Sequence, residues 1–387
     1  MQGERSETTF DGSSQAVDDF NVTAKEDKKI VTLRNILDKD RKGADLKLSL
    51  FVAACRSYRY DSCLKPFPPE FINNGLKDIE YLLEVIDKMP TLTQLVQELY
   101  DPDVYQKIGL VIDLLHWLLV ELKDIQIKSV PKSEFGAIMG CVHCETAAPA
   151  PNLIFQLVGN PCGTNEMRWK EVSRGHKTLY AFHGSRLDNF HSILHYGLQK
   201  HFSKVSLCPM FELAKPEHYM VGKLIHSMPL AMSVQNSLFG HGIYLSSELS
   251  VSLPYSPMGY GWRWSTVGRE MSCVALCEVV DHPDVKYQDK ESARSRSMAM
   301  DSMGGEVPDK YYVVLNSDLV KVRYLLVYNR NLPQARSEGS GSWLRWMGRH
   351  KLLTFMLCYV VLLVSVGLSS SQLAQQFYHL VLKRTGL

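Results

Sequence analysis

The sequence predicts an α+β protein: a helical bundle, then a mostly antiparallel β domain, with a single transmembrane helix near the C-terminus. Three features carry that prediction. Between residues 45 and about 128, apolar residues recur at helical spacing. Beyond Pro151, short runs rich in β-branched and aromatic residues are split by Gly and Pro. Residues 352–368 form an uncharged, almost wholly apolar run. At 387 residues and 45% apolar, the chain can bury the cores of about two domains.

Residues 1–44 are polar, rich in Ser, Thr, Asp and Lys, and lack an apolar h-region. They read as a disordered extension without a signal peptide. The glycosylation triplet at Asn21 is taken as chance, because a cytosolic segment would not meet the transferase. Residues 45–135 read as a helical regulatory domain. Leu46, Leu48, Leu50, Phe51 and Ala54 recur at near-helical spacing, and residues 75–88 and 91–100 continue the pattern. Thr91, directly after Pro90, is a start signal. Residues 104–122 are apolar around much of a helical circumference. This part holds no nucleophile–base pair, metal cluster or phosphate loop, which points to packing or docking.

Residues 136–151, rich in Gly, Ala, Pro and Cys, mark the expected domain boundary. Cys141 and Cys144 form a lone CxxC; without a second pair at matching spacing it is weak evidence for zinc, and no metal is assigned. Residues 152–330 form the second domain. Strands are expected at 153–158, 178–182, 242–245, 272–280, 311–315 and 320–328, with helices at 188–196 (closed by Gly197) and 247–255. Ser246 or Ser247 is the expected cap of the second helix, with Glu248 in its first turn and Pro254 kinking or ending it. Cys273 and Cys277 fall in a strand-like run and read as small apolar packing groups.

Residues 331–351 are a linker, 352–368 a membrane anchor and 369–387 a lumenal tail. As a helix, the anchor's 17 residues rise about 25 Å, adequate for a thin bilayer of roughly 27 Å. Arg345, Arg349 and Lys351 precede it, whereas the far side carries no Lys or Arg before Lys383. The positive-inside rule keeps the body cytosolic. The short span favours the endoplasmic reticulum, with the nuclear envelope and mitochondrial outer membrane as alternatives. The net charge of +2 without a long basic run argues against nucleic acid as a partner. Nine scattered cysteines fit a reducing compartment.

Three clusters hold the chemistry: Tyr180-Ala181-Phe182-His183-Gly184-Ser185; Phe239-Gly240-His241-Gly242-Ile243-Tyr244-Leu245, followed by Ser252 and Tyr255; and Lys310-Tyr311-Tyr312-Val313-Val314 after Gly304-Gly305. Together they resemble the His-Tyr-Glu signature of the poly(ADP-ribose) polymerase (diphtheria-toxin-like ADP-ribosyltransferase) family, in a His-Tyr-Tyr variant. The helical module in front and the apolar helix behind narrow the resemblance to the tail-anchored, mono-ADP-ribosylating branch of the endoplasmic reticulum.

The resemblance implies NAD⁺ as co-substrate, His183, Tyr244 and Tyr311 as catalytic residues, and His183, Gly184, Ser185, Tyr244, Ser252 and Tyr255 as the NAD⁺ site. Gly184 would present its main chain to the nicotinamide carboxamide, and Ser252 would donate to the same group. Tyr255 and Tyr244 would flank the cationic ring, and His183 would bond a ribose hydroxyl. Nicotinamide would leave through an oxocarbenium-like state, displaced by a protein side chain. Tyr311 stands where polymerising members carry glutamate; a phenol with pKa near 10 is a poor base at neutral pH, so one ADP-ribose per site is expected. The implied partners are proteins near the same membrane, the chain itself, and the bilayer. The alternative is a catalytically silent, membrane-anchored NAD⁺- or ADP-ribose-binding scaffold. Residues 198–238 are longer than the family needs, and 208–235, rich in Met, His and Pro, read equally as a functional loop or a gene-model artefact.

Overall fold

The computed structural model describes residues 12–142, 147–199, 239–288, 296–298, 302 and 305–330, with side chains from residue 24 onward. A long helix, α1 (Gly12–Cys55), opens the chain and bends at Asp40. Its apolar positions Leu33 and Leu37 are buried. The disordered extension expected over residues 1–44 is therefore corrected from Gly12 onward, where the chain is helical and from Ile30 packs; residues 1–11 lie outside the described residues. The apolar stripe Ile30, Leu33, Leu37 is sparse among charges, and it becomes a core face only because α4 lies against it. Lys29 closes this contact with an ion pair to Asp113 on α4.

The helical layer continues with α2 (Ile79–Lys88), α3 (Leu92–Glu98) and α4 (Val104–His116). Asp78 and Thr91 cap α2 and α3 through their side chains, and Thr91 forms a capping box with Gln94. Residues 75–78 are not helical as expected. A small hairpin precedes α2, turning at Asn74 and Gly75, both with positive φ.

Among the described residues, all strands but that hairpin join one antiparallel sheet. They are β1 (Ile125–Ser129), β2 (Leu153–Gly159), β3 (Thr178–Gly184), β4 (Ile243–Ser246), β5 (Gly259–Tyr260), β6 (Glu270–Val280), β7 (Val285–Lys286), β8 (Tyr311–Val314) and β9 (Val320–Asn329). Their order is β1-β2-β9-β6-β3-β4-β8-β7, with β5 on the end of β6. β1 corrects a second expectation: residues 125–128 were read as the end of the helical domain, yet they pair with β2 from Ile125↔Gly159 to Ser129↔Phe155. The helical part and the sheet are thus stitched together, and residues up to Leu332 form one compact unit.

Side-chain alternation sorts the sheet into two faces. Cys273, Ala275, Cys277 and Val279 of β6 face a core completed by Leu46 and Leu50 of α1, Trp169 of α5 (Thr164–Val172), and Phe190, Ile193 and Leu194 of α6 (Phe190–Tyr196). Val274 and Leu276 face the other way, onto Phe182, Leu326 and Leu249 of α7 (Leu249–Ser252). α1 serves two cores at once, since Leu48, Phe51 and Val52 turn into the helical layer. Buried Asp45 fixes its register, accepting bonds from the Thr266 N–H and Oγ1, each at 2.6 Å. Buried Lys47 donates to the Leu122 carbonyl at 2.9 Å, and burial lowers its pKa to about 8.

α6 ends at Gly197, whose φ of 71° suits a residue without Cβ. The capping expected of Ser246 or Ser247 on α7 takes another form. Glu248 is the cap position, and the Ser246 hydroxyl accepts the Glu248 N–H at 3.0 Å while donating to the Lys310 carbonyl at 2.7 Å. Pro254 ends the α-helix as anticipated: the chain tightens to a 3₁₀ turn over Leu253–Tyr255. Residues 331–387, with the expected linker, anchor and tail, lie outside the described residues, as do 208–235 and His143 and Cys144. Among the described residues no helix is long and apolar enough to cross a membrane.

Candidate active site

The sheet opens between β3 and β4. The other pairs in the sheet match two or more residues; here one pair, Phe182↔Ser246, holds the two together. Beyond it the strands part, and the parted ends carry His183-Gly184-Ser185 on one side and Tyr244 on the other. His183 spans the gap: its ring Nδ1 lies 2.9 Å from the Tyr244 carbonyl oxygen. A carbonyl only accepts, so Nδ1 carries the proton and Nε2 keeps its lone pair. Burial lowers the His183 pKa, with the Tyr244 bond opposing, which favours the neutral ring. A neutral imidazole with Nδ1 committed can accept a hydrogen bond from a hydroxyl at Nε2.

Gly184 abuts the turn after α7. A Cβ there would collide with the Ser252 carbonyl oxygen and stand 2.8 Å from Tyr255 Cβ. Glycine is thus required by packing, independently of any ligand. Ser252 is 4% exposed and its hydroxyl donates to the Phe182 carbonyl at 3.0 Å. The expected donation from Ser252 to a carboxamide is therefore not what this arrangement offers: the proton is engaged and the oxygen is left to accept. Ser185 is held at both ends, its N–H donating to Ser256 Oγ at 3.0 Å and its hydroxyl accepting from Asn189 Nδ2 at 2.9 Å.

On the opposite side, Tyr311 pairs with Ser246, so Tyr311, Ser246 and Phe182 form one row across β8, β4 and β3. Tyr244 pairs with Val313, and its hydroxyl donates to the Gly240 carbonyl at 2.7 Å. Gly242 lies against β8, where a Cβ would meet Val313 Cγ1 at 2.6 Å. Tyr255 and Tyr311 are half-buried. Burial raises both phenols, and the proximity of Tyr311 raises Tyr255 further. Tyr311 is thus an even poorer base here than a free tyrosine.

The structure gathers His183, Gly184, Ser185, Tyr244, Ser252, Tyr255 and Tyr311 around the open seam. The sequence reading missed Asn189, Ser246 and Ser256. Asn189 stands four residues after Ser185 at the start of a helical turn, a spacing that could have marked it. Ser246 was read only as a helix cap, and Ser256 carries no such signal, since its partners Ser185 and Ser272 are distant in sequence. Among the described residues no group of His, Cys, Asp and Glu could hold a metal. Cys141 donates to the Ala137 carbonyl at 3.5 Å.

Comparison with known proteins gives the family. The ARTD15 N-terminal domain model matches residues 35–119, and the poly(ADP-ribose) polymerase catalytic domain model matches residues 216–330. The second match begins inside 208–235, so part of that unexpected segment lies within the family pattern. The mouse (Mus musculus) protein mono-ADP-ribosyltransferase PARP16 is 38% identical over 357 residues, covering 90% of this chain and 97% of its own. The human (Homo sapiens) PARP16 is 37% identical, covering 89% and 96%. The mouse protein mono-ADP-ribosyltransferase PARP8 is 22% identical over 73% of this chain and 31% of its own length.

Proposed function

This chain belongs to the poly(ADP-ribose) polymerase family, as a mono-ADP-ribosyltransferase using NAD⁺, and on that premise we propose how the open seam works and where it acts. The observation that carries the reading is the His183 Nδ1–Tyr244 bridge across the parted strands. It leaves Nε2 to accept a hydrogen bond from a ribose hydroxyl of NAD⁺, fixing the sugar. Gly184 presents its main chain to the nicotinamide amide, with the Ser252 oxygen as an acceptor for the amide N–H. Tyr244 and Tyr255 offer aromatic faces to the cationic ring.

The glycosidic C–N bond breaks and nicotinamide departs with the bonding pair. A nucleophile on the acceptor protein closes on the ribose carbon and gives its proton to water. Positioning and preorganised polar groups supply the catalysis. No carboxylate stands at Tyr311, and a phenol raised by burial does not activate a second ribose hydroxyl. Acceptors are proteins at the same membrane and the chain itself. The anchor at residues 352–368 holds the body on the cytosolic face of the endoplasmic reticulum and the continuous nuclear envelope. Membership among mono-ADP-ribosyltransferases weighs against the silent-scaffold alternative.

The test is automodification of the full chain in detergent with labelled NAD⁺, beside His183→Ala and Tyr244→Ala. One discrete labelled band on wild type alone is expected; a ladder, or equal labelling of the variants, overturns the assignment. Membrane fractionation and protease protection of the full chain and of a truncation after Arg330 test the anchor, which fails if both forms are equally soluble.

A further inference from the structure

The loop after α1 grips the segment that carries Ser185. Ser57 Oγ donates to Asp188 Oδ2 at 2.7 Å, and Arg59 Nη2 donates to Asn189 Oδ1 at 3.1 Å while lying 3.8 Å from Asp188 Oδ2. The grip continues along α6. The Lys65 N–H donates to Ser192 Oγ at 3.2 Å, and that hydroxyl donates to the Cys63 carbonyl at 2.6 Å. His191 Nε2 meets the Pro66 carbonyl at 2.9 Å. These contacts are sheltered: Asp188, His191 and Ser192 are all buried. Sheltered polar bonds are worth more than exposed ones and penalise a mispaired partner.

The decisive group is the Asn189 amide. Its oxygen faces a guanidinium, which has donors and no acceptor. A flipped amide would set NH₂ against that guanidinium, donor against donor. Arg59 therefore fixes the amide so that its NH₂ points to Ser185 Oγ, 2.9 Å away. Ser185 then accepts from Asn189, and its own proton remains for an acceptor elsewhere. The polarity of one serine hydroxyl is set by a residue 126 positions earlier, in the helical module (Arg59 and Ser185).

We propose that Arg59 is a positioning residue for the donor site: through Asn189 it orients the Ser185 hydroxyl as a donor to a ribose or phosphate oxygen of NAD⁺. This rests on the assignment of Ser185 to the NAD⁺ site. The helical module thereby acts on donor affinity without reaching the seam itself.

The experiment is a double-mutant cycle in the full chain, measuring KM for NAD⁺, kcat and Tm for wild type, Arg59→Ala, Ser185→Ala and the double variant. Arg59→Ala is expected to raise KM about tenfold with kcat within about twofold, the scale of one misdirected hydrogen bond. Arg59→Lys, still a donor without an acceptor, restores most of the affinity. In the Ser185→Ala background Arg59→Ala should change KM no further. Full additivity of the two KM effects overturns the relay. An unchanged KM in Ser185→Ala alone instead overturns the assignment of Ser185, so the two failures are distinct. Should Arg59→Ala fail to fold, Arg59→Met, which keeps a long unbranched apolar stem without the charge, takes its place in the same cycle.

Discussion

The two banks of the open seam are built on different principles. The β3 bank, His183-Gly184-Ser185, is held by Ser252 and Ser256 at and after the end of α7, by nearby Asn189, and behind that by Arg59 of the helical module. The β4–β8 bank, Tyr244 and Tyr311, is held by strand register and short-range bonds, such as the Tyr244 hydroxyl to Gly240 four residues earlier. Both banks sit in ladders, His183 and Gly184 against Ala275 and Val274 of β6, but the β3 bank is also tied to the helical module through Asn189 and Arg59. Disturbance in the helical layer should therefore reach donor binding first through the β3 bank.

The largest expected effect falls on that bank. Gly184→Ala forces a methyl into the Ser252 carbonyl, so Gly184 and Ser252 must separate. Automodification is expected to fall on the order of 100-fold or more, with a lower Tm. Wild-type rates in this variant would show that the two elements are not tightly apposed. His183→Ala removes the bridge across the seam. A loss of about 30-fold in kcat/KM is expected, largely through KM for NAD⁺.

Acid should weaken the same bank. Burial lowers His191 from the ordinary 6.5 to about 4, with the Pro66 bond opposing, and lowers its neighbour His195 to about 2. A histidine depressed in the fold contributes stability above pH 6.5, where it is neutral in both states. That contribution is lost as pH falls from 6.5 toward 4, because the unfolded chain takes up the proton first. For fully buried His191 the loss is about 3 kcal/mol. Tm measured from pH 7.5 to 4.5 should fall more steeply in wild type than in His191→Gln; parallel slopes would exclude His191 as the cause. The smallest effect is reserved for the other bank. Tyr311→Phe keeps the ring and drops a hydroxyl too weakly acidic to act as base, so activity should stay within about threefold. A loss of 100-fold would give the phenol a chemical role.

How legible this was in the sequence differs between the banks as well. Strand cores announce themselves through alternation, and β3, β6 and β9 lie close to where the pattern put them. The clusters around His183, Tyr244 and Tyr311 were visible as motifs because each is contiguous. β1 was hidden, since Ile125 and Ile127 alternate over too few residues to outweigh the helical run before them. The packed part of α1 before Asp45 was hidden for a related reason: few apolar residues among many charges identify no partner.

The reading of Tyr311 in place of a carboxylate came from the family resemblance; what the sequence determined alone was therefore the class of fold and the motif-bearing strands. Those depend on residue type and on spacings of two to four, which the chain carries within itself. The tertiary structure alone decided that α1 serves two cores, that the sheet opens after Phe182↔Ser246, and that Arg59 reaches Asn189. Such contacts join positions separated by tens to more than a hundred residues. Their geometry comes from how whole elements pack, and no local periodicity encodes it.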